Sequence, residues 1–141
     1  KMFNNKTIKI KDYKRSFISK TVSIEGTIYS TELLEVAGLI KGQANAKVLV
    51  IKETGSIIGS IESELLIING HFHGKASASE ITIGATGTVK GDIKFSNNLK
   101  IENGAEIEAQ IKKIENFKLI DEFLSGIKDK KDPTKMILPA A

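Results

Sequence analysis

The feature that most constrains the fold of this 141-residue chain is an internal repeat. A five-residue unit, apolar at its first and last positions and small at its third, recurs six times, with one copy displaced by a residue. The small residues are separated by 16, 17, 15, 17 and 18 positions and stand at Gly26, Gly42, Gly59, Gly74, Gly91 and Ala109. This period is typical of stacked coils, whereas a β-sandwich would show turn signals about every 8–12 residues.

Each coil also contains a second apolar stretch that precedes the next repeat unit. These stretches are Val48–Ile51, Leu65–Ile68, Glu80–Ile83 and Leu99–Ile101. Turn residues such as Asn69 and Gly70 separate them from the units that follow, and glycine tolerates the positive φ that such corners require. The pattern predicts two or three short strands per coil, stacked in parallel ladders about 4.8 Å apart, and a rod roughly 30 Å long.

Side-chain size after each glycine supports this register. Every second residue of a strand points to the same side, so the second and fourth positions after each small residue are expected to face inward. Larger and smaller pairs alternate from coil to coil: Ile28/Ser30, Ala44/Ala46, Ile61/Ser63, Ala76/Ala78 and Ile93/Phe95. A narrow core at interior density needs large side chains beside small ones, which this alternation provides.

The charge distribution separates the ends of the chain from its middle. Residues 1–20 carry seven basic side chains and one acid, whereas residues 21–111 carry seven Lys and eleven acids. A nucleic-acid-binding domain would place its basic stripe on the folded body, so the pattern does not favour nucleic acid. It suits a basic arm that meets an anionic membrane or an acidic partner, with a solvated tail as the alternative.

Candidate chemistry is sparse. The chain has no Cys, which excludes disulfides and cysteine nucleophiles, and only two His. His71 and His73 would share one side of a strand, but Phe72 is expected to face inward and a zinc site needs further ligands. No hydrolase or metalloprotease motif occurs, so we expect neither enzymatic activity nor a metal or other cofactor. A hexapeptide-repeat acyltransferase is the enzyme alternative, although the six-residue phase is not sustained.

Three segments resemble the bactofilin family: the lead-in Ile18–Ile28 and the units Gly55–Ile61 and Gly87–Ile93. The resemblance covers roughly residues 17–112. It implies an all-β fold, a right-handed parallel β-helix of about six rungs. It also implies a bacterial cytoskeletal scaffold that joins end to end into non-polar filaments without a nucleotide. Such proteins lie under the cytoplasmic membrane, where they organise cell-wall enzymes and cell shape.

The chain is therefore divided into a basic N-terminal arm (1–16), a bactofilin-like β-helix (17–112) and a C-terminal part (113–141). Phe17–Ile28 is expected to form the first rung. Apolar residues at helical spacing predict a short amphipathic helix over residues 114–128, followed by a flexible tail. This helix could cover the last rung, lie along the side of the rod, or bind a partner or the membrane.

Two groups of functional residues follow. The subunit contacts of a homopolymer are predicted at the end rungs: Val22, Ile24 and Ile28 at one end, and Ile107, Ile111 and Ile114 at the other. The resemblance further implies that the arm binds the inner face of the cytoplasmic membrane, through Met2, Phe3, Lys6, Lys9 and Lys11. Neither nucleic acid nor nucleotide is an expected partner. A non-polymerising adaptor for a cell-wall enzyme is the remaining alternative, because it would use the same rod.

Overall fold

Parallel β-strands make up the regular secondary structure of residues 14–115, as the repeat predicts. A computed structural model describes residues 14–115, which contain eight strands and no helix. The strands are β1 (Arg15–Ile18), β2 (Ser23–Tyr29), β3 (Leu33–Val36), β4 (Leu39–Ile51), β5 (Ser56–Ile68), β6 (His71–Ile83), β7 (Thr88–Ile101) and β8 (Glu106–Lys113). Every pairing between them is parallel, so the fold is a β-solenoid.

The pairing register defines two ladders. The glycine ladder stacks the repeat units of β2, β4, β5, β6, β7 and β8, and its small residues pair in the predicted phase from Gly26 to Ala109. The second ladder stacks β1, β3 and the last four residues of each strand from β4 to β7. The apparent displacement of the third copy disappears because Ile57, rather than Ile58, pairs with Ile40 and is buried.

The predicted first rung corresponds to one complete coil. Phe17 and Ile18 belong to β1, which pairs with β3 in the second ladder, while Ile24 and Ile28 lie on β2 in the glycine ladder. Each coil thus consists of a stretch in the second ladder followed by a unit in the glycine ladder. The first coil is β1 with β2, and the last is the end of β7 with β8.

The inward columns form one continuous apolar core. Ala44, Ala46, Ile61, Ala76 and Ile93 are each at most 2% exposed, which confirms the predicted inward positions and their alternation in size. Phe72, a large and fully buried side chain, lies on the same strand as the small Ala76 and Ala78. Volume is thus balanced within a rung, as close packing requires.

Hydrogen bonds between successive coils hold the corners. Thr54 Oγ1 donates to the carbonyl of Ala37 at 2.8 Å, and Thr86 Oγ1 donates to the carbonyl of Asn69 at 2.6 Å. Each of these bonds spans 17 residues, which is one coil. Corner carbonyls that have no partner in a ladder therefore accept hydrogen bonds from Thr side chains of the next coil.

The glycine ladder predicts a position-dependent effect of alanine. Gly26 and Gly59 have similar backbones (φ 134° and 140°), which an L-residue adopts at a cost of about 1–3 kcal/mol. A Cβ at Gly59 would also overlap the carbonyl oxygen of Gly42, whereas a Cβ at Gly26 would meet open space. We expect Gly59→Ala to lower the free energy of unfolding by at least about 2 kcal/mol more than Gly26→Ala does. Urea denaturation followed by circular dichroism measures both variants, and equal losses would contradict the packing argument.

Candidate assembly site at the two ends of the rod

Each end of the solenoid exposes strand edges that have no ladder partner within residues 14–115. At the N-terminal end, β1 pairs only with β3 and β2 pairs only with β4. At the C-terminal end, β8 pairs only with β7. The outer backbone N–H and C=O groups of such edges are a template for another strand.

The apolar core also continues to both ends without a polar cap among the described residues. In the glycine ladder, Ile40 and Ile93 are fully buried, whereas their column neighbours at the ends, Ile24 and Ile111, are only partly covered. Ile111 is 40% exposed and Ile107 is half-buried. The end rungs therefore present side chains that would be core residues if another rung followed.

The structure places the six predicted contact residues at the two ends. Ile24 and Ile28 close the N-terminal end of the glycine ladder, and Val22 lies in the preceding turn, 39% exposed. Ile107 and Ile111 close the opposite end on β8, followed by the half-buried Ile114, whose N–H donates to the carbonyl of Phe95 at 2.7 Å. Their participation in subunit contacts stays a prediction.

The C-terminal end contains two further apolar residues that sequence reasoning did not assign to it. Leu99 and Ile101 form the last level of the second ladder, and Ile101 is 45% exposed. They were recognised as part of a coil, but β8 stops before a further level of this ladder can cover them. The available signal was that Leu99–Ile101 is the last of the second apolar stretches in the sequence.

Exposed aromatic residues mark the N-terminal end. Phe17 on β1 is 55% exposed and Tyr29 on β2 is 62% exposed, and both point outward because Ile18 and Ile28 beside them take inward positions. Aromatic residues are only 6% of the chain, so two exposed ones on the first two strands are a notable concentration. They add apolar area at the rim of this end.

The charges near the ends are mixed. Arg15 pairs with Glu35 at 3.3 Å at the N-terminal end, and Lys90 pairs with Glu108 at 3.8 Å near the other. Both members of the second pair are more than half exposed, so that pair contributes little to stability. Acids and bases are thus present at both described ends, so neither described end is a surface of one sign only.

A groove on the side of the rod contains the two histidines. His71 and His73 are exposed and Phe72 between them is buried, as predicted. They line a groove of about 470 Å³ together with the apolar Ile57, Ile58 and Val89 and the polar Ser56, Thr88, Lys90, Glu106 and Glu108. Within residues 14–115, no group of three or more His, Asp or Glu side chains is close enough to hold a metal ion. The groove therefore offers polar contacts without an assembled ligand set.

The predicted membrane-binding residues lie outside the described part of the chain. Met2, Phe3, Lys6, Lys9 and Lys11 all precede Lys14. Of the predicted helix over 114–128, only Ile114 and Glu115 are described, and neither is helical. The part of the chain that the structure describes has no helix long and apolar enough to cross a membrane.

Comparison with known proteins identifies the family. A family model described as "Bactofilin: Polymer-forming cytoskeletal" matches residues 16–112, well over half of the chain. This chain belongs to the bactofilin family. The resemblance noted in the sequence is thereby confirmed, and with it membership of a family of cytoskeletal, polymer-forming proteins. Among curated protein sequences, the comparison found no match.

Two solved bactofilin structures share the fold. The first is a cryo-EM reconstruction of Thermus thermophilus bactofilin double helical filaments, with a TM-score of 0.65 and 19% identity over 70% of this chain and 99% of the other. The second is the solid-state NMR structure of the cytoskeletal bactofilin BacA, with a TM-score of 0.66 and 26% identity over 72% and 98% of the two chains. Almost the whole of each solved chain is therefore covered by this bactofilin's solenoid.

One column of the core tests whether the end rung is needed for folding. Ile93 is fully buried and Ile111 is its 40% exposed neighbour in the next, terminal rung. We expect Ile93→Lys to unfold the chain, because it places a charge in the core, and Ile111→Lys to cost less than about 1 kcal/mol. Thermal melts followed by far-UV circular dichroism measure both. A comparable loss of stability in the two variants would show that Ile111 is part of the monomer core.

Proposed function

We propose that this bactofilin self-assembles end to end into filaments that form without a nucleotide. The observation that carries the proposal is the continuity of the apolar core to both exposed ends, combined with unpaired strand edges at the same places. The filament-forming bactofilin among the solved structures supports the same behaviour for this chain.

The free energy available from burying the apolar side chains at the ends is large enough to support such an assembly. Full burial of an Ile side chain contributes about 1.5–3 kcal/mol relative to exposure, and Ile24, Ile28, Ile107 and Ile111 are all incompletely covered. Added strand pairing satisfies backbone groups and aligns the copies at the spacing of the ladder. Every group in this contact belongs to the chain itself, so the contact requires no nucleotide to complete it.

The filament is proposed to lie at the inner face of the cytoplasmic membrane. The arm before Lys14 carries the apolar pair Met2 and Phe3, followed by the spaced cations Lys6, Lys9 and Lys11. Each Lys near an anionic surface contributes about 1 kcal/mol, so a single arm binds weakly. A filament presents many arms at once, and multivalency converts weak contacts into stable attachment. In this position the polymer would act as a scaffold for cell-wall enzymes and cell shape.

A lysine at the C-terminal end tests the assembly. Ile107→Lys places an unpaired charge in the proposed contact and should abolish or shorten filaments, while circular dichroism of the chain stays native. Ile58→Lys is the matched control, because Ile58 is 45% exposed on the side of β5, away from both ends. Negative-stain electron microscopy, in EDTA and without nucleotide, compares the three proteins.

Two results would contradict the end-to-end proposal. Filaments that persist in a folded Ile107→Lys variant would remove the C-terminal contact from the polymer. Small particles alone in the unmodified protein would favour a non-polymerising adaptor.

Deletion of residues 1–6 tests the membrane anchor. The deletion removes Met2, Phe3 and Lys6, and should reduce co-sedimentation with anionic liposomes roughly tenfold while filaments still form. Lys20→Gln is the control, since it removes a cation from the described rod and should leave binding almost unchanged. Liposome binding that survives the deletion would show that the arm is not the anchor.

A further inference from the structure

The two histidines of the chain lie side by side on one outward surface of the rod. His71 and His73 flank the buried Phe72 on β6, so both imidazoles point to the same side of the strand, roughly 6.6 Å apart at the backbone. Both side chains are exposed, and among residues 14–115 neither imidazole has a hydrogen-bond or ion-pair partner. Two free imidazoles at this spacing can bind one transition-metal ion together.

One copy of the chain supplies only half of the ligands that a closed zinc site requires. Such a site has four ligands in a tetrahedron. Glu106 and Glu108, the carboxylates of the same groove, lie two rungs from the histidines, roughly 10 Å away at the backbone. Within residues 14–115 no third His, Asp or Glu is close enough to complete a site. The sequence argued against zinc because further ligands were lacking, and a second copy would supply them.

The charges on this surface are arranged for contact between two antiparallel copies. We call the outward column that contains His73 the histidine column; from the first rung to the sixth it consists of Glu25, Lys41, Ile58, His73, Lys90 and Glu108. A two-fold axis at His73, parallel to the strand, reverses the rung order in the second copy. Lys41 then faces Glu108 of the second copy, twice by symmetry, and Ile58 faces the aliphatic stem of Lys90.

Other registers of the two copies lack this match. If one copy slides by one rung, Lys41 faces Lys90 and Glu25 faces Glu108, which are contacts between like charges. If it slides the other way, Ile58 faces Glu108 and His73 faces Lys90. The register that brings the histidines of the two copies together is therefore also the one in which the charges are complementary.

We propose that two copies pair sideways through this surface and share one zinc ion, bound by His71 and His73 of each copy. Sheets packed face to face lie about 10 Å apart, so an ion at the centre of the four histidines would be roughly 6 Å from each Cα. An imidazole side chain spans this distance. Four imidazole nitrogens give the tetrahedral set that a closed zinc site has.

The ion is needed because the surface itself is small. Five overlapping rungs span roughly 24 Å and the outward side of one unit is about 10 Å wide, so each copy would bury roughly 240 Å². A stable complex buries about 800 Å² per partner. Glu108 lies 3.8 Å from Lys90 within one copy, and both side chains are more than half exposed, so exchanging this contact for Lys41 of the second copy costs little. Zinc would therefore control the pairing.

This pairing goes beyond the proposed function, because it is centred on β6 at the side of the rod and not on its ends. End-to-end assembly needs no metal, whereas the sideways contact would join two rods only when zinc is present. Filaments could thus form singly and associate laterally in response to the ion.

Zinc titration of the full chain by isothermal calorimetry tests the shared site. We expect one zinc per two chains, with four imidazole nitrogens at about 2.0 Å from the metal in X-ray absorption spectra. His71→Ala and His73→Ala should each weaken zinc binding at least about tenfold. Circular dichroism of both variants should stay native, because both positions are exposed.

A relocated histidine pair is the matched control. The variant with His71→Ser, His73→Ser, Ser60→His and Glu62→His keeps two histidines two residues apart on an outward surface, flanking the buried Ile61 on β5. The facing charges of the histidine column are absent around this position. We therefore expect no zinc site shared between two chains, and at most one zinc per chain with two imidazole ligands.

Charge reversal tests the register. Lys41→Glu and Glu108→Lys should each raise the zinc concentration at half-saturation about fivefold, because each turns two contacts of opposite charge into contacts of like charge. The double variant should restore the original value, since it only exchanges the signs. A double variant that binds zinc as weakly as the single variants would contradict the register.

Three outcomes would overturn the proposal. One zinc per chain with two imidazole ligands would show that each histidine pair binds alone. Equal zinc binding by the unmodified chain and the relocated pair would show that the histidine column has no particular role. The absence of binding at micromolar zinc would remove the site altogether. None of these measurements depends on filaments, so failure of end-to-end assembly and failure of the zinc-bridged pair are distinguishable.

Discussion

The structure depends on one constraint, the in-register stacking of a glycine column on itself. A Cβ at Gly42, Gly59 or Gly74 would overlap the carbonyl oxygen of the glycine one rung earlier, so successive rungs approach each other there without a side chain between them. A slip of one residue would bring a Cβ into that gap and turn the inward side chains outward. The buried columns that contain Ile40 and Ile93 are therefore a consequence of this register.

The packing between equivalent rungs does not by itself limit how many rungs can stack. Each rung buries its apolar residues only against its neighbours, so the first and last rungs are incompletely buried by construction. In this chain the last rung shows the effect through Ile111 and Ile101, which are 40% and 45% exposed, whereas Ile93 and Ile83 in the same columns are fully buried. End-to-end assembly would complete the burial that a single copy cannot reach, which is why the ends and not the sides are the proposed contacts along the filament.

The two ends are not equivalent, since the solenoid begins in the second ladder and finishes in the glycine ladder. The side of the rod is not uniform either. Its outward positions on the glycine ladder are largely exposed, whereas those on the second ladder are buried toward β3.

The sequence by itself determined the repeat, the register and the inward residues, because strand alternation and a small residue every 17 or so positions are local properties of the chain. It also located Ile24 and Ile107 at the ends, since these belong to the first and last recognisable repeat units, and Val22 just before the first unit. Only the tertiary structure decided that Phe17 belongs to a different ladder from Ile28, that Ile101 is a terminal residue, and that Leu33 and Val48 are buried on their outer side. The physical reason is that alternation specifies the side of a strand on which a residue lies, whereas pairing partners and covering layers depend on residues distant in the chain.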